Sequence, residues 1–224
     1  MAATPIHGLT SAELVAIAKE RLPRGHGAAR KIHRRIMREG VFDPASLGLG
    51  PDACGAWRKE FSFTLPDVVR VQSDSGPLGD TSKAVLRLED GLEAEAVRIP
   101  MGRGRYTLCV SSQVGCKMGC AFCETGRMGL LRHLRTDEIV AQLLVSRQRL
   151  GWDVRNIVFM GMGEALDNAD HVIRAIRVFN DEAGLAIGQE RITVCTVGHV
   201  EGIRRLDSEG FKRLNLSISL NAAN

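Results

Sequence analysis

No stretch of the 224 residues approaches the roughly 20 consecutive apolar residues that a membrane-crossing helix needs. The N-terminus (MAATPIHGLTSAEL) lacks the basic-then-apolar pattern of a secretory leader, and no internal repeat or low-complexity tract is present. These absences predict a cytoplasmic protein with no membrane partner. Cysteine is scarce and uneven: positions 54, 109, 116, 120, 123 and 195 do not make a disulfide framework, and half of them crowd one loop. In a reducing compartment such a cluster suits metal better than disulfides. With 44% hydrophobic and 25% charged residues, the composition is ordinary for one globular domain, with or without a small appendage.

The net charge of +4 is not evenly placed: residues 1–60 hold ten Lys/Arg against six Asp/Glu, so the remainder is balanced. RLPRGHGAARKIHRRIMR has seven basic residues and no acidic one. Such a patch can neutralise phosphates, or it can be a solvated helix face. Composition leaves both open.

Thr10 and Glu13 form a capping-box pattern ahead of ELVAIAKERL, and a second helical stretch runs near Ala28–Arg38, ending by Gly40. Residues 1–60 are therefore expected to form a small helical module. Residues 61–104 hold FSFTL, VVRVQ, KAVLRL and AEAVRI, expected as a short antiparallel β meander. From 105 to 224 the texture alternates. YTLCVSS, NIVFMG, RITVCTVG and LNLSISL read as strands; a helix capped by Thr136, ADHVIRAIRVFNDEAG and VEGIRRLDSEG read as helices. Four β-α alternations predict a parallel sheet with right-handed crossovers. Glycine and polar residues after the strands' C-terminal ends favour a partial (β/α) barrel within the α/β class. A parallel sheet ending soon after its fourth strand leaves an apolar edge unpaired, so the chain is expected to be a fragment or to have its sheet completed by something else.

CKMGCAFC places Cys116, Cys120 and Cys123 in a C-x3-C-x2-C loop. Zinc modules pair two C-x2-C knuckles or add nearby histidines; here no second pair follows, and His133 stands ten residues on without a companion ligand. An iron–sulfur cubane takes one thiolate per iron. Three thiolates leave one iron open to a small molecule.

That loop after the first strand of a β/α array resembles the signature of radical S-adenosylmethionine (SAM) enzymes. TLCVSSQVGCKMGCAFCETGRMG, VFMGMGEALDN, RITVCTVG and LNLSISLNA, in that order, resemble bacterial methyltransferases of adenosine carbon 2 in 23S rRNA and tRNA, whose sister group modifies carbon 8. The likeness runs from about residue 5 to 224. It implies a [4Fe–4S] cluster on Cys116, Cys120 and Cys123 whose open iron chelates SAM. The further implied partners are an RNA substrate gripped partly by the helical module and an electron donor such as flavodoxin; at full length the protein is expected to be a monomer.

The resemblance assigns further roles. Gly163 and Glu164, after the strand NIVFM, would contact SAM, as would Ser219, Leu220 and Asn221 at the end of the last strand and Cys195 within RITVCTVG. Asn221 stands where the family has histidine, Cys195 where it has serine, and Glu124 where a small residue is usual; these departures mark a divergent branch. Glu95 aligns with a proton-accepting carboxylate, though a glutamate alternating with apolar residues also fits a strand's solvent face. Cys109 aligns with the thiol that resolves a covalent protein–RNA adduct, and by itself also reads as a core cysteine. Arg127, Arg132 and Arg135 are candidate RNA-phosphate contacts or plain helix-start charges, and His33 is placed with the basic patch. The family's methyl-carrying cysteine and a late SAM-binding asparagine have no counterpart, since no cysteine follows Cys195. The expected alternatives are a radical SAM paralogue with another acceptor, a non-catalytic RNA- or cluster-binding chain, and, more distantly, a zinc module. The natural product is expected near 350 residues by resemblance; intact mass of the native protein checks this, and a mass equal to this chain's would overturn it.

Overall fold

A computed structural model describes residues 3–220. The N-terminal segment opens with β1 (Thr4–Pro5). Helix α1 (Ser11–Arg21) has the expected capping box: the Glu13 amide donates to Thr10 Oγ1 at 3.2 Å and the Thr10 amide to Glu13 Oε2 at 2.8 Å. Helix α2 (Ala29–Glu39) ends on Gly40 at φ +70°, the left-handed C-terminal cap that glycine adopts without strain. Helix α3 (Pro51–Glu60) leads directly into β2 (Phe61–Ser62). Trp57 and Phe61 join Ile6, Leu14, Ile32 and Ile36 in a small core of their own. The expected meander strand FSFTL is corrected here: only Phe61 and Ser62 are extended, and they pair in parallel with Thr4 and Pro5. His33 is also corrected. It lies fully buried, its Nε2 2.9 Å from the Leu9 carbonyl, and burial holds its pKa below the ordinary imidazole value.

The remaining strands are β3 (Asp67–Asp74), β4 (Thr81–Arg87), β5 (Glu93–Pro100), β6 (Tyr106–Cys109), β7 (Gln113–Cys116), β8 (Gly129–His133), β9 (Asn156–Phe159), β10 (Ile192–Thr196) and β11 (Asn215–Ile218). The helices between them are α4 (Glu124–Arg127), α5 (Thr136–Gln148), α6 (Ala169–Asn180) and α7 (Val200–Asp207). One seven-stranded sheet runs β11-β10-β9-β6-β5-β4-β3. Its β6, β9, β10 and β11 are mutually parallel, while β3 to β6 alternate antiparallel. The meander and the β/α repeat thus share a single open sheet, and among the described residues it does not close into a barrel.

One face of this sheet is apolar throughout. Ala84, Leu86, Ala94, Ala96, Leu108, Ile157, Phe159 and Val194 share the main core with Ile139, Leu143, Ile173, Ile176 and Phe179 from α5 and α6. Strand residues two apart point the same way, so intervening positions emerge on the opposite face. β11 lies at the sheet edge with Leu216 and Ile218 about half exposed.

Helix α5 starts one residue earlier than expected. Arg135 is the N-cap, its amide donating to Glu138 Oε2 at 2.8 Å, and the Thr136 hydroxyl instead meets His171 Nδ1 at 3.1 Å. From the same helix Gln142, fully buried, spans to the loop after β6. It accepts from the Ser111 amide at 2.8 Å and donates to the Ser111 carbonyl at 2.9 Å. Gln142→Leu strands both backbone groups in an apolar environment, each costing about 1–3 kcal/mol. Chemical denaturation is expected to show a loss of that order for the variant.

Candidate functional site: the cysteine hairpin and the Gly-Met-Gly-Glu turn

The cysteine loop is not a simple strand-to-helix connection. Residues 117–128 bridge an antiparallel hairpin, β7 paired with β8, that stands apart from the main sheet. Sequence periodicity misses this hairpin because QVGC and GLLRH are short and a long loop, not a turn, separates them. Gly115 permits the pairing: at φ +79°, a Cβ there would lie 1.9 Å from the Gly129 carbonyl oxygen. The hairpin register shifts at that point.

Cys116 ends β7 and is buried, while Cys120 and Cys123 are half-buried in the loop. The Cys123 amide donates to the Cys120 carbonyl at 3.0 Å, which tightens the second half of the motif into a turn. Gly126 brings α4 against it, since a Cβ there would meet the Cys120 nitrogen at 3.0 Å. Burial pushes the Cys116 thiol up, and the neighbouring thiols of Cys120 and Cys123 and the Glu164 carboxylate add to the rise. The three sulfurs thus sense one another across the loop. Among the described residues no three His, Cys, Asp or Glu side chains converge as ligands of a single ion. Cubane ligation asks for one thiolate on each of three irons, so convergence on one point is not its requirement. A soft all-thiolate donor set on one loop fits an iron–sulfur cluster.

The Gly161-Met162-Gly163-Glu164 turn after β9 lies directly on this hairpin's root. A Cβ on Gly161 would stand 2.7 Å from Ser111 Oγ and 2.8 Å from the Ser111 nitrogen. The Met162 carbonyl accepts from the Ser112 and Gln113 amides at 2.9 and 3.1 Å. Gly163 has φ +105°, and a Cβ there would press within 2.6 Å of Gln113 Cβ. Glu164 is buried: Oε1 accepts from the Leu166 amide at 3.0 Å and Oε2 from the Val197 amide at 2.9 Å. Its carboxylate therefore ties the β9 turn to the turn after β10.

Sheet register brings several expected residues together. Val97 pairs with Cys109, Cys109 with Val158, Val158 with Thr193, and Cys195 with Ser217. Alternation then puts Glu95, Cys109, Cys195 and Ser217 on the face opposite the main core. Burial pushes the Cys109 thiol up to about 11, partly offset by its hydrogen bond with the Met160 backbone. Cys195 is likewise raised by burial, with a hydrogen bond from Ser217 opposing and Glu164 adding to it. Glu95 pairs with Lys83 at 3.0 Å, both about three-eighths exposed. Ser219 follows β11, its amide donating to the Thr196 carbonyl at 2.8 Å, and Leu220 is 74% exposed. Asn221 lies outside the described residues.

The three arginines after the loop are engaged within the chain. Arg132 forks onto Glu138 at 2.7 and 2.8 Å and reaches Asp90 at 2.6 Å, which raises its pKa. Arg135 pairs with Asp137 at 2.9 Å and Arg127 with Glu124 at 2.9 Å. Two side chains that sequence reasoning left unassigned are central: Gln113, which links hairpin and turn, and Asn168, whose Nδ2 donates to the Ser112 and Leu134 carbonyls at 2.8 Å. The only signal for either was its place inside the motifs VSSQVGC and GEALDN. A cavity of about 570 Å³ is walled by His133, Asp167, Asn168, His171, His199 and Arg205.

Comparisons with known proteins agree with the geometry. The Radical SAM superfamily model matches residues 110–219. A "Probable dual-specificity RNA methyltransferase RlmN 1" from Protochlamydia amoebophila is 54% identical over 146 residues, 65% of this chain and 40% of the relative. A "Dual-specificity RNA methyltransferase RlmN" from Oleidesulfovibrio alaskensis is 40% identical over 222 residues, 95% of this chain and 61% of the relative. The crystal structure of a radical SAM methyltransferase from Sphaerobacter thermophilus superposes with a TM-score of 0.85 at 36% identity, covering 99% of this chain and 64% of that one. The chain spans about half the length of the curated relatives it matches.

The thiol environments make a direct prediction for the metal-free protein. At pH 8 a small alkylating reagent is expected to modify Cys120 and Cys123 and to spare Cys109. Cys109 labelling should rise only as pH climbs toward its raised value. Because the folded pKa lies above the unfolded 9.0, the stability linked to this thiol is complete below pH 9 and is lost as pH rises through about 11. Site-resolved mass spectrometry of the labelled peptides checks the order.

Proposed function

We propose, from the match of residues 110–219 to the Radical SAM superfamily model, that the chain works as an RNA (adenine) methyltransferase. In this reading Cys116, Cys120 and Cys123 hold a [4Fe–4S] cluster and the sheet face opposite the main core receives SAM. The observation that carries it is the packing of a three-thiol hairpin against a glycine turn that ends in the buried carboxylate of Glu164. When bound, such a cluster supplies the electron that cleaves the sulfonium of SAM, opening carbon positions too electron-poor for polar methyl transfer.

The chain's own residues supply binding and orientation. Gly161 and Gly163 leave room for Ser111 and Gln113 to pack against the turn, which fixes its backbone beside the hairpin. Glu164 is held in one orientation by two amides, and its negative charge suits the ammonium of the SAM methionine portion. Cys195, Ser219, Leu220 and Asn221 line up with the cofactor segment of the resemblance; Cys195 brings a neutral thiol in place of a hydroxyl. Glu95 and Cys109 share that sheet face. A thiol pushed up by burial stays protonated near neutral pH, which suits a resolving group that must not react early. The finer proposal is transfer by way of a methylated cysteine, with Cys109 resolving the protein–RNA adduct and Glu95 taking a proton.

RNA is the proposed substrate, in 23S rRNA, tRNA or both. Helix α2 supports this: Ile32, Ile36 and Met37 face the core, while Arg30, Lys31 and Arg34 are exposed and make no ion pair with the described residues. Free cations on one helix face can replace the counterions of a phosphate backbone. No helix among the described residues is long and apolar enough to cross a membrane; a cytoplasmic site and an electron donor such as flavodoxin complete the proposal.

Electron paramagnetic resonance on anaerobically reconstituted, dithionite-reduced protein tests it. A four-iron signal that changes shape on adding SAM is expected, and Cys116→Ala, Cys120→Ala or Cys123→Ala should each abolish it with loss of bound iron. Zinc in place of iron, with no such signal, removes the basis for the radical reading.

A further inference from the structure

The cysteine loop has few side-chain ties to its surroundings. Arg127 bonds Glu124 and the Ala121 carbonyl, both inside the loop. Among the described residues, the ion pair that leaves the loop comes from Lys117, between Cys116 and Cys120. Its Nζ lies 2.6 Å from Asp167 Oδ1. Lys117 is 55% exposed, whereas the Asp167 side chain is 8% exposed, so the carboxylate is a fixed post rather than a mobile surface partner.

Asp167 is held from behind. Its Oδ2 accepts from Gln113 Nε2 at 2.9 Å, and the same amide lies 3.0 Å from His133 Nδ1 on β8. Gln113 Oε1 accepts from the Glu164 amide at 2.9 Å. A continuous chain therefore runs from the loop through Lys117, Asp167 and Gln113 to the backbone of Glu164. Burial alone would raise the Asp167 pKa, but hydrogen bonds from Lys117 and Gln113 and the charges of Lys117 and His133 bring it below the ordinary carboxylate value. The post keeps its charge at neutral pH.

We propose that Lys117 and Asp167 form a latch that sets the distance between the cysteine loop and the Gly-Met-Gly-Glu turn, and so are positioning residues for SAM. The inference rests on the cluster reading above. Neither residue is a ligand. The loop would carry the open iron, the turn would carry the carboxylate that meets the methionine ammonium, and one cofactor must satisfy both at once. An exposed ion pair contributes little, but a charged pair with one buried, doubly bonded partner has a defined geometry. Outer-shell partners of this kind, when removed, cost about 10–100-fold in affinity or activity at metal centres.

The test uses holoprotein expressed from the complete gene and reconstituted anaerobically. Lys117→Met and Asp167→Asn are made singly and together, with Lys117→Arg as the conservative variant. Iron content and the reduced-cluster signal without SAM are expected to match wild type, since all three thiolates remain. The SAM concentration giving half of the spectral change should rise about 10–100-fold in each single variant. The double variant should be no weaker than the weaker single one, because both act through one contact, and Lys117→Arg should recover most of the affinity. Lys117 is largely solvated, so its replacement leaves the fold intact even if Asp167→Asn does not. An unchanged SAM response in the Lys117→Met protein at full iron overturns the latch, as does an additive loss in the double variant or loss of iron from Lys117→Met. Wild-type protein that takes up no iron, or whose signal ignores SAM, overturns the cluster reading and the latch with it.

Discussion

Between the turn after β9 and the chain at Val110–Gln113 there is no room for a side chain, and the rest of the site depends on that contact. A Cβ on Gly161 or Gly163 would fall within 2.7 Å of Ser111 or Gln113 atoms. Where the two segments meet, backbone amides, the Ser111 hydroxyl and the Gln113 amide exchange hydrogen bonds between them. Since buried polar groups are costly unless paired, each of these groups restrains the others. The cysteine hairpin, which pairs with no strand of the main sheet, is held to the molecule through this junction.

The same junction explains how an open sheet can present a defined site. The apolar face is covered by α5 and α6, with Gln142 reaching from α5 to clamp Ser111. The other face carries Cys109, Cys195 and Ser217 toward the strands' C-terminal ends, where α/β proteins gather their chemistry. Glu164 joins two successive turns by accepting from both, so β9 and β10 deliver their ends as one surface. The helical module adds its own core and exposes Arg30, Lys31 and Arg34 on α2, which pair with no acid among the described residues.

Charge placement is correspondingly economical. Arginines just past the cysteine loop, attractive as phosphate contacts from their positions alone, are consumed by Glu138, Asp90, Asp137 and Glu124. They brace the start of α5 and the edge of the hairpin. Exposed Arg30, Lys31 and Arg34 lie on α2, on the other side of the apolar stripe formed by Ile32 and Ile36.

Local pattern alone determined much of this protein. The capping box at Thr10, the glycine stop at Gly40, the parallel β/α order and the three-cysteine motif are all short-range signals, read from spacing within a few residues. Tertiary structure decided what spacing cannot encode. His33 lies in a strongly basic run yet is fully buried, because helical phase turned it inward beside Ile32 and Ile36. FSFTL has strand composition, but only its first two residues pair, because the partner is the distant N-terminus. The β7–β8 hairpin depends on Gly115 meeting Gly129 across the cysteine loop. Gln113 and Asp167, 54 residues apart, become neighbours only once β6 and β9 lie side by side: hydrogen bonds between remote residues are products of sheet order and register, which no local window contains.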